Sequence, residues 1–447
     1  MCKLGDLCKT TSGGTPSRKE SKYFQGNIPW VKSGELDKGV ITDTEEKITQ
    51  KAVENSSAKI FPKGTLLIAL YGATIGKLAF LGIDAATNQA ICGIFKNQKI
   101  DSHYLFHFLF FKKPSLVKQS IGGAQPNISQ GILRNLELPL PPLPEQQCIV
   151  AKIEALFSEL DRGIESLKTA QQQLKVYRQA VLKWAFEGKL TEEWRRKNKN
   201  HQTAYEFLQK IKRDRKQEYE WRKKNEEKKI DKNFLFDFKE SETVKGWANA
   251  TLDNLIYIAG RIGWRGLKKD EYTLSGPMFL SVHSLNYGKY VDYSRAYHVS
   301  EERYLESSEI ILKEQDILLC KDGAGIGKIG IVKCLSEKAT VNSSLLVIRG
   351  LEVFVPEFLF YLFSGPKLQS IVRARISGSA TPHLFQNDIR KFNLMVPPIE
   401  EQHQIVSEIE SRLSVCDKLE RTIEDNLQQA KALRQSILKK AFEGRLV

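Results

Sequence analysis

The sequence predicts an α+β chain with a pseudo-twofold internal repeat. Two mixed α/β domains are each followed by a long helix, and the two helices are expected to pair as an antiparallel coiled coil. Three observations predict it. Residues 136–191 and 392–447 align without a gap at an offset of 256, and 23 of 56 columns are identical. Ordinary composition would give about three or four. Each copy also carries apolar residues at helical spacing. Finally, LYGATIGK at 70–77 is answered by KDGAGIGK at 321–328, each between two apolar runs. A repeat of this kind organises everything else in the chain.

The helices come from spacing. In the first copy Ile149, Ile153, Leu156, Leu160, Leu167, Leu174 and Val181 fall on one 4-3 seam, with Gly163, Ala170 and Tyr177 filling its gaps. The second places Ile405, Ile409, Leu419, Ile423, Leu433 and Ile437 on the equivalent seam. Apolar residues repeating every 3.5 positions mark a surface that needs a partner helix. Pro141-Pro142 and Pro397-Pro398 end the preceding strands and admit a helix start. Gly188 and Gly444, each after Ala-Phe-Glu, are stop signals.

In order, residues 1–140 form the first mixed domain. Short apolar runs at 65–70, 79–83 and 91–95, separated by Gly and turn residues, predict strands. HYLFHFLFF at 103–111 predicts a helix packed on them. Residues 141–190 hold the first long helix. Residues 191–246 are densely charged and predict a helical connector, most simply a solvated tether. Residues 247–396 repeat the first domain: ATNQ at 86–89 answers ATVNS at 339–343, and GGAQP at 122–126 answers GSATP at 378–382. Residues 397–447 hold the second helix. Between these anchors the domains share little, so like scaffolds carry unlike faces.

Composition narrows the function. The net charge is +15, which favours a polyanionic partner, most often nucleic acid. Seven cysteines, without any Cys-x-x-Cys, suit a reducing compartment and argue against a disulfide framework or zinc site. The start, MCKLGDLCKTTSGG, is no signal sequence, and no apolar run reaches the ~18 residues of a membrane span. A cytoplasmic, soluble chain without a membrane partner is expected.

Several motifs fail their context. The 72–77 turn has three residues between its first glycine and Gly-Lys, and Leu78 follows; a phosphate loop needs four, then Ser or Thr. Gly325, Gly327 and Gly330 match Gly-x-Gly-x-x-Gly in letters, but a strand and not a helix is expected next. No Asn-Pro-Pro-aromatic or Asp-Pro-Pro-aromatic tetrad and no His-Glu-x-x-His is present, and Glu45-Glu46-Lys47 is too short to carry a nuclease assignment. No catalytic residue, metal site or cofactor is expected in this chain.

What remains is readout. Turns bearing Lys, Arg, Asn, Gln, Ser, Thr, Tyr and His suit phosphate and base-edge contacts. The candidate DNA-binding residues of the first domain are Lys32, Ser33, Tyr71, Thr74, Lys77, Asn88, Gln89, Gln125 and Asn127. Those of the second are Arg261, Trp264, Arg265, Lys268, His283, Lys321, Lys328, Asn342, Thr381 and His383. A coiled-coil scaffold with two non-DNA-binding heads is the rival reading; it leaves the duplicated Gly-Lys turns and the basic balance unexplained.

IPWVKSGEL, YGATIGK, ATNQA, GGAQPNIS, LPLPPLPEQQCIVAKIEALFSELD and the twin endings RQAVLKWAFEGKLT and RQSILKKAFEGRLV resemble the specificity subunits of type I restriction-modification enzymes. The resemblance covers nearly the whole chain. It implies two target-recognition domains, each reading half of a split double-stranded DNA sequence, and two conserved helical regions forming an antiparallel rod between them. It implies no chemistry in this chain. The implied partners are two modification subunits, which methylate adenine from S-adenosylmethionine, and two ATP- and Mg-dependent restriction subunits. One departure is that Gly246-Trp247 precedes Leu252-Asp253 in the second half, a lead-in with no counterpart before Leu4-Gly5-Asp6.

Overall fold

The computed structural model describes the chain except residues 120–126, 200, 226, 228–230, 262–270, 287 and 378–381. It divides into two compact units, Met1–Thr169 with Ile423–Val447, and Ala170–Thr422. The division falls within both long helices, Leu143–Phe186 and Ile399–Phe442, so each unit contains part of each.

Two larger sheets form the body of unit 1, beside the short pair Cys2–Lys3 and Glu137–Leu138. In one, strands Thr10–Ser12, Ile91–Ile94, Leu66–Ala69, Leu78–Leu81 and Val40–Ile41 lie in that order. In the other, Glu46–Ile48, Ile28–Val31, Ala85–Thr87 and Ile60–Phe61 lie in order, with Ile28–Val31 parallel to Ala85–Thr87. Strand Leu66–Ala69 is apolar throughout because both its faces are covered. Leu67 and Ala69 join Val31, Phe61 and Leu81 in one core. Leu66 and Ile68 join Tyr104, Leu105, Phe108 and Leu109 in another. Successive residues of a strand point to opposite faces, so this alternation follows directly. The second core is closed by helix Ser102–Gln119, at the place where the 103–111 run predicts one.

Unit 2 repeats the plan. Strands Tyr257–Gly260, Leu345–Arg349, Ile317–Cys320 and Ile329–Ile331 form one sheet, and Tyr297–His298, Thr273–Leu280 and Ala339–Val341 another, the last two parallel. Leu318 and Cys320 face one core while Ile317 and Leu319 face the other, as in unit 1. The charged 191–246 segment is not a tether. Helix Ala204–Lys224 starts at a capping box made by Thr203 and Glu206 and buries Ala204, Leu208 and Ile211 in the unit 2 core. Arg215, 6% exposed, donates to Glu352 at 2.7 Å and to the Asn233 and Asn254 carbonyls. The charge runs lie on the opposite face, which masks the amphipathic stripe in a composition reading.

Both long helices start from the same device. Gln146, fully buried, donates to the Lys99 and Pro141 carbonyls at 3.2 and 2.8 Å and accepts from the Asp101 amide at 2.8 Å. Its repeat equivalent Gln402, also fully buried, donates to the Val353 and Pro397 carbonyls at 2.9 and 3.1 Å and accepts from the Val355 amide at 2.9 Å. One amide thus satisfies three backbone groups that neither helix nor strand can pair.

Each unit also contains the same inter-helix ion pair. Arg434 pairs with Asp161 in unit 1, and Arg178 donates to Asp417 at 2.6 Å and to Glu420 at 2.9 Å in unit 2. Asp161 and Asp417, and likewise Arg178 and Arg434, are repeat equivalents at the offset of 256.

Along the expected seam of the first helix Ile149, Ile153 and Val181 are buried, Leu156, Leu160, Leu167 and Leu174 half-buried, and Gly163 exposed. In the second helix Ile405, Ile409, Ile423 and Ile437 are buried, but Leu419 and Leu433 are 48% and 50% exposed. The inward positions there are Cys416, Glu420, Ile423, Leu427, Ala430, Arg434 and Ile437. The expected seam is therefore corrected by one residue at alternate positions. Glu420 and Arg434 turn inward to make the ion pairs, and a straight helix of 3.6 residues per turn gives no reason for either phase to persist.

Candidate nucleic-acid interface

In each unit one hairpin turn and one short 3-10 turn are brought together from separate segments. The hairpin joins Leu66–Ala69 to Leu78–Leu81 in unit 1 and Ile317–Cys320 to Ile329–Ile331 in unit 2. Its backbone bonds coincide one for one. Gly76 N–H donates to Ala69 and Gly327 N–H to Cys320, both at 2.8 Å; Ile75 donates to Gly72 and Ile326 to Gly323, both at 3.1 Å. The glycines at 72, 76, 323 and 327 have φ of +65°, +73°, +71° and +85°, a region costly for other residues. They serve turn geometry, and a strand follows each hairpin turn, Leu78–Leu81 and Ile329–Ile331; the second is the strand expected at the Gly325, Gly327 and Gly330 motif in place of a helix.

The 3-10 turns are Ser33–Lys38 and Val282–Leu285. Each is tied to its hairpin by the lysine of the Gly-Lys pair. Lys77 donates to Asp37 at 2.5 Å, and Lys328 donates to Asn286 at 2.5 Å. Asp37 and Asn286 both follow the buried leucine of their turn, Leu36 or Leu285. The latch is the same; its charge is not, since Asp37 neutralises its lysine and Asn286 does not.

The predicted residues are distributed as follows. Tyr71, Gln89 and Asn127 are exposed in unit 1, and Thr74 and Lys77 are half-buried on the hairpin, Thr74 Oγ1 donating to the Tyr71 carbonyl at 3.1 Å. Gln89 accepts from Thr15. Ser33 opens the 3-10 turn. Lys32 bridges Glu45 at 2.7 Å and Glu46 at 3.2 Å; those hydrogen bonds push its ammonium above the usual lysine range. Asn88 donates its amide N–H to Val31 O, the equivalent of Asn342 to Leu280 O, so both asparagines close the parallel strand pair. In unit 2 His283 and Lys328 are exposed, and Lys321, Asn342 and His383 half-buried. Arg261 turns inward, its side chain 6% exposed and 3.1 Å from Glu306, so it is no open surface cation. Gln125, Trp264, Arg265, Lys268 and Thr381 lie outside the described residues.

The acids beside these groups escape a reading that looks for cations and amides. Asp37, Glu45, Glu46 and Asp322 each contact a predicted residue. Arg18 was missed too: it lies 4.3 Å from the Phe24 ring centre and 5.1 Å from that of Trp30, held at 2.6 Å by Glu46, whose carboxyl is lowered chiefly by that bond. A stacked guanidinium on an aromatic pair has no local sequence signal.

Among the described residues no cluster of three or more His, Cys, Asp or Glu could hold a metal. No described helix is long and apolar enough to cross a membrane.

Two repeated sheet units presenting tied loops on matched frames define a duplicated recognition module. Residues 1–175 and 270–429 match the family described as the type I restriction modification DNA specificity domain, and the chain belongs to that family. It is 28% identical to the EcoBI specificity subunit of Escherichia coli, with 81% of this chain and 69% of that protein covered. It is 25% identical to the EcoKI specificity subunit of E. coli strain K12 (94% and 82% covered) and 25% identical to the MjaIX specificity subunit of Methanocaldococcus jannaschii (99% and 92%). The fold is shared with the HsdS subunit from Thermoanaerobacter tengcongensis, at 19% identity and TM-score 0.58, covering 99% of this chain and 96% of that one. It is shared also with a chain solved for the assembly and conformational transition of the type I R-M system, at 19% identity and TM-score 0.66, covering 99% and 97%. The chain is a non-catalytic specificity subunit whose role is DNA recognition within a restriction-modification system.

Proposed function

We propose that this chain reads a split double-stranded DNA target in the cytoplasm, one half-site per unit, and delivers it to partner subunits. The observation that carries the reading is the repetition of hairpin, 3-10 turn and lysine latch on the same backbone, with different side chains around each. Like frames with unlike faces suit two readers of unlike half-sites.

The long helices pair in this reading as an antiparallel coiled coil, supported by the equivalent Arg434–Asp161 and Arg178–Asp417 contacts. A rod of this kind sets the spacing between half-sites, so intervening bases go unread. The chemistry belongs to the partners: two modification subunits that methylate adenine from S-adenosylmethionine, and two restriction subunits that use ATP and Mg. This chain supplies sequence choice and register.

The test is the adenine methylome of cells expressing this chain with its modification subunit, against the modification subunit alone. A new split motif that depends on this chain is expected; a stable complex without new methylation would overturn the reading. Removing one seven-residue repeat from each long helix should shorten the unread spacer and leave the half-sites unchanged. Binding should weaken steeply as salt rises.

A further inference from the structure

One isolated β-bridge recurs in both units and joins the hairpin to the residues that follow the GGAQP and GSATP sequences. In unit 1 it pairs Tyr71 with Asn127; in unit 2 it pairs Asp322 with His383. The backbone around it is the same. Ile128 N–H donates to the Leu70 carbonyl and Leu384 N–H to the Lys321 carbonyl, both at 2.9 Å, and both Ile128 and Leu384 are fully buried. The frame therefore delivers two side chains at fixed points beside the hairpin, and only their chemistry differs between the units.

In unit 2 that chemistry is unusual for a face that meets a polyanion. The Asp322 side chain is 34% exposed, and its Oδ1 accepts from His383 Nδ1. Its Oδ2 is 3.9 Å from Lys321 Nζ, beyond hydrogen-bond reach, and among the described residues no donor occupies it. The His383 ring also packs against Phe385, edge-on at 4.4 Å between centres, and the Arg375 guanidinium lies 5.3 Å from the Phe385 ring centre. An aimed carboxylate gains nothing from phosphate. It repels the acceptors that guanine (N7, O6) and thymine (O4) present in the major groove, and it can accept only from an exocyclic amino group. A group of this kind selects by rejection as much as by attraction.

We propose that the bridge pairs are specificity-determining residues, and that Asp322 accepts from the exocyclic amino group of one cytosine or adenine in the half-site read by unit 2. His383 is its positioning residue. In unit 1 the equivalent pair, the Tyr71 hydroxyl and the Asn127 amide, both donates and accepts, and so suits a base edge that does the same. The inference rests on the DNA-reading function proposed above.

The experiment uses the assembled complex of this chain with its modification subunits and duplexes carrying the methylated motif. Asp322→Ala should relax one position of one half-site, with discrimination there falling roughly ten- to a hundredfold, while the other half-site stays as strict as before. Replacing the contacted base by its analogue lacking the amino group, purine for adenine or 2-pyrimidinone for cytosine, should weaken the wild type and leave Asp322→Ala indifferent; the analogue that acts identifies the base. His383→Ala should relax the same position, and His383→Asn, which keeps a donor toward Asp322, should restore it. Loss of affinity that is equal for every duplex, or unaltered discrimination at every position, overturns the proposal. A wild-type complex that methylates no split motif would instead remove the DNA-reading function on which it rests.

Discussion

Unit 1 and unit 2 share a frame and differ in what they place against it. Helix Ser102–Gln119 packs over the first long helix with His107 near Glu154, Nε2 to Oε1 3.7 Å; helix Pro356–Ser364 packs over the second with Tyr361 near Glu410, OH to Oε1 3.4 Å. YLFHFLF at 104–110 and FLFYLFS at 358–364 occupy equivalent positions two residues off the main repeat offset. The glutamates are repeat equivalents; the aromatic partner has changed from titratable imidazole to phenol. The helix starts differ more. Glu145 is exposed, whereas Glu401 is fully buried, accepting from Thr191 Oγ1 at 2.6 Å and Trp247 Nε1 at 2.7 Å and pairing with Arg195. One aligned residue is thus a solvated side chain in one unit and the hub of a buried network in the other. The lesson is that repetition preserves backbone-satisfying residues such as Gln146 and Gln402, and leaves charges free to acquire different duties.

The sharpest break in the comparison should come from that hub. Glu401→Ala removes the carboxylate that pairs with Arg195 and leaves the buried Trp247 indole N–H without its acceptor, and should destabilise the chain by ~3 kcal/mol. Glu145→Ala should stay within about 0.5 kcal/mol. Denaturant unfolding of the two variants measures the difference directly, and equal losses would refute the asymmetry. Gln146→Ala and Gln402→Ala test the likeness instead. Each leaves three backbone groups without their side-chain partner, and each should cost ~2 kcal/mol, in the same assay and to a similar extent.

A smaller effect separates the units by pH. Burial lowers the His107 pKa, opposed by Glu154, so the folded state resists protonating this ring. A depressed folded-state pKa gives stability that is complete above the unfolded value, ~6.5, and declines as pH falls from there toward the folded value. His107→Tyr, the unit 2 solution, should flatten stability against pH in that window; a profile unchanged by the substitution would count against it. The smallest predicted effect is on binding. Asp37→Asn gives unit 1 the uncharged latch of unit 2 and releases the Lys77 charge, so the slope of log K against log salt should steepen by about 0.9. Titrations at several salt concentrations measure it.

The duplicated plan, the strands at 66–69, 78–81 and 91–94, the helix over 103–111 and both long helices were all legible from the chain. Period, turn residues and the repeat are local signals, and local hydrogen bonding obeys them. The seam was legible only in part: Leu419 and Leu433 carry the right letters, yet Glu420 and Arg434 take the inward positions because their ion partners lie on the other helix. The charged 191–246 segment read as a tether because its few buried residues are outnumbered by a solvated face. On the candidate face, the Gly-Lys turns were legible as motifs and Tyr71, Asn127 and His383 as exposed or half-buried polar candidates, while the contacts made by Asp37, Asn286, Asp322 and the Arg18 stack were not. The sequence by itself therefore determined the elements, their duplication and the family. Only the tertiary structure decided which charges are neutralised, which side chains share a bridge and which glutamate is buried, because those outcomes depend on contacts between segments tens to hundreds of residues apart.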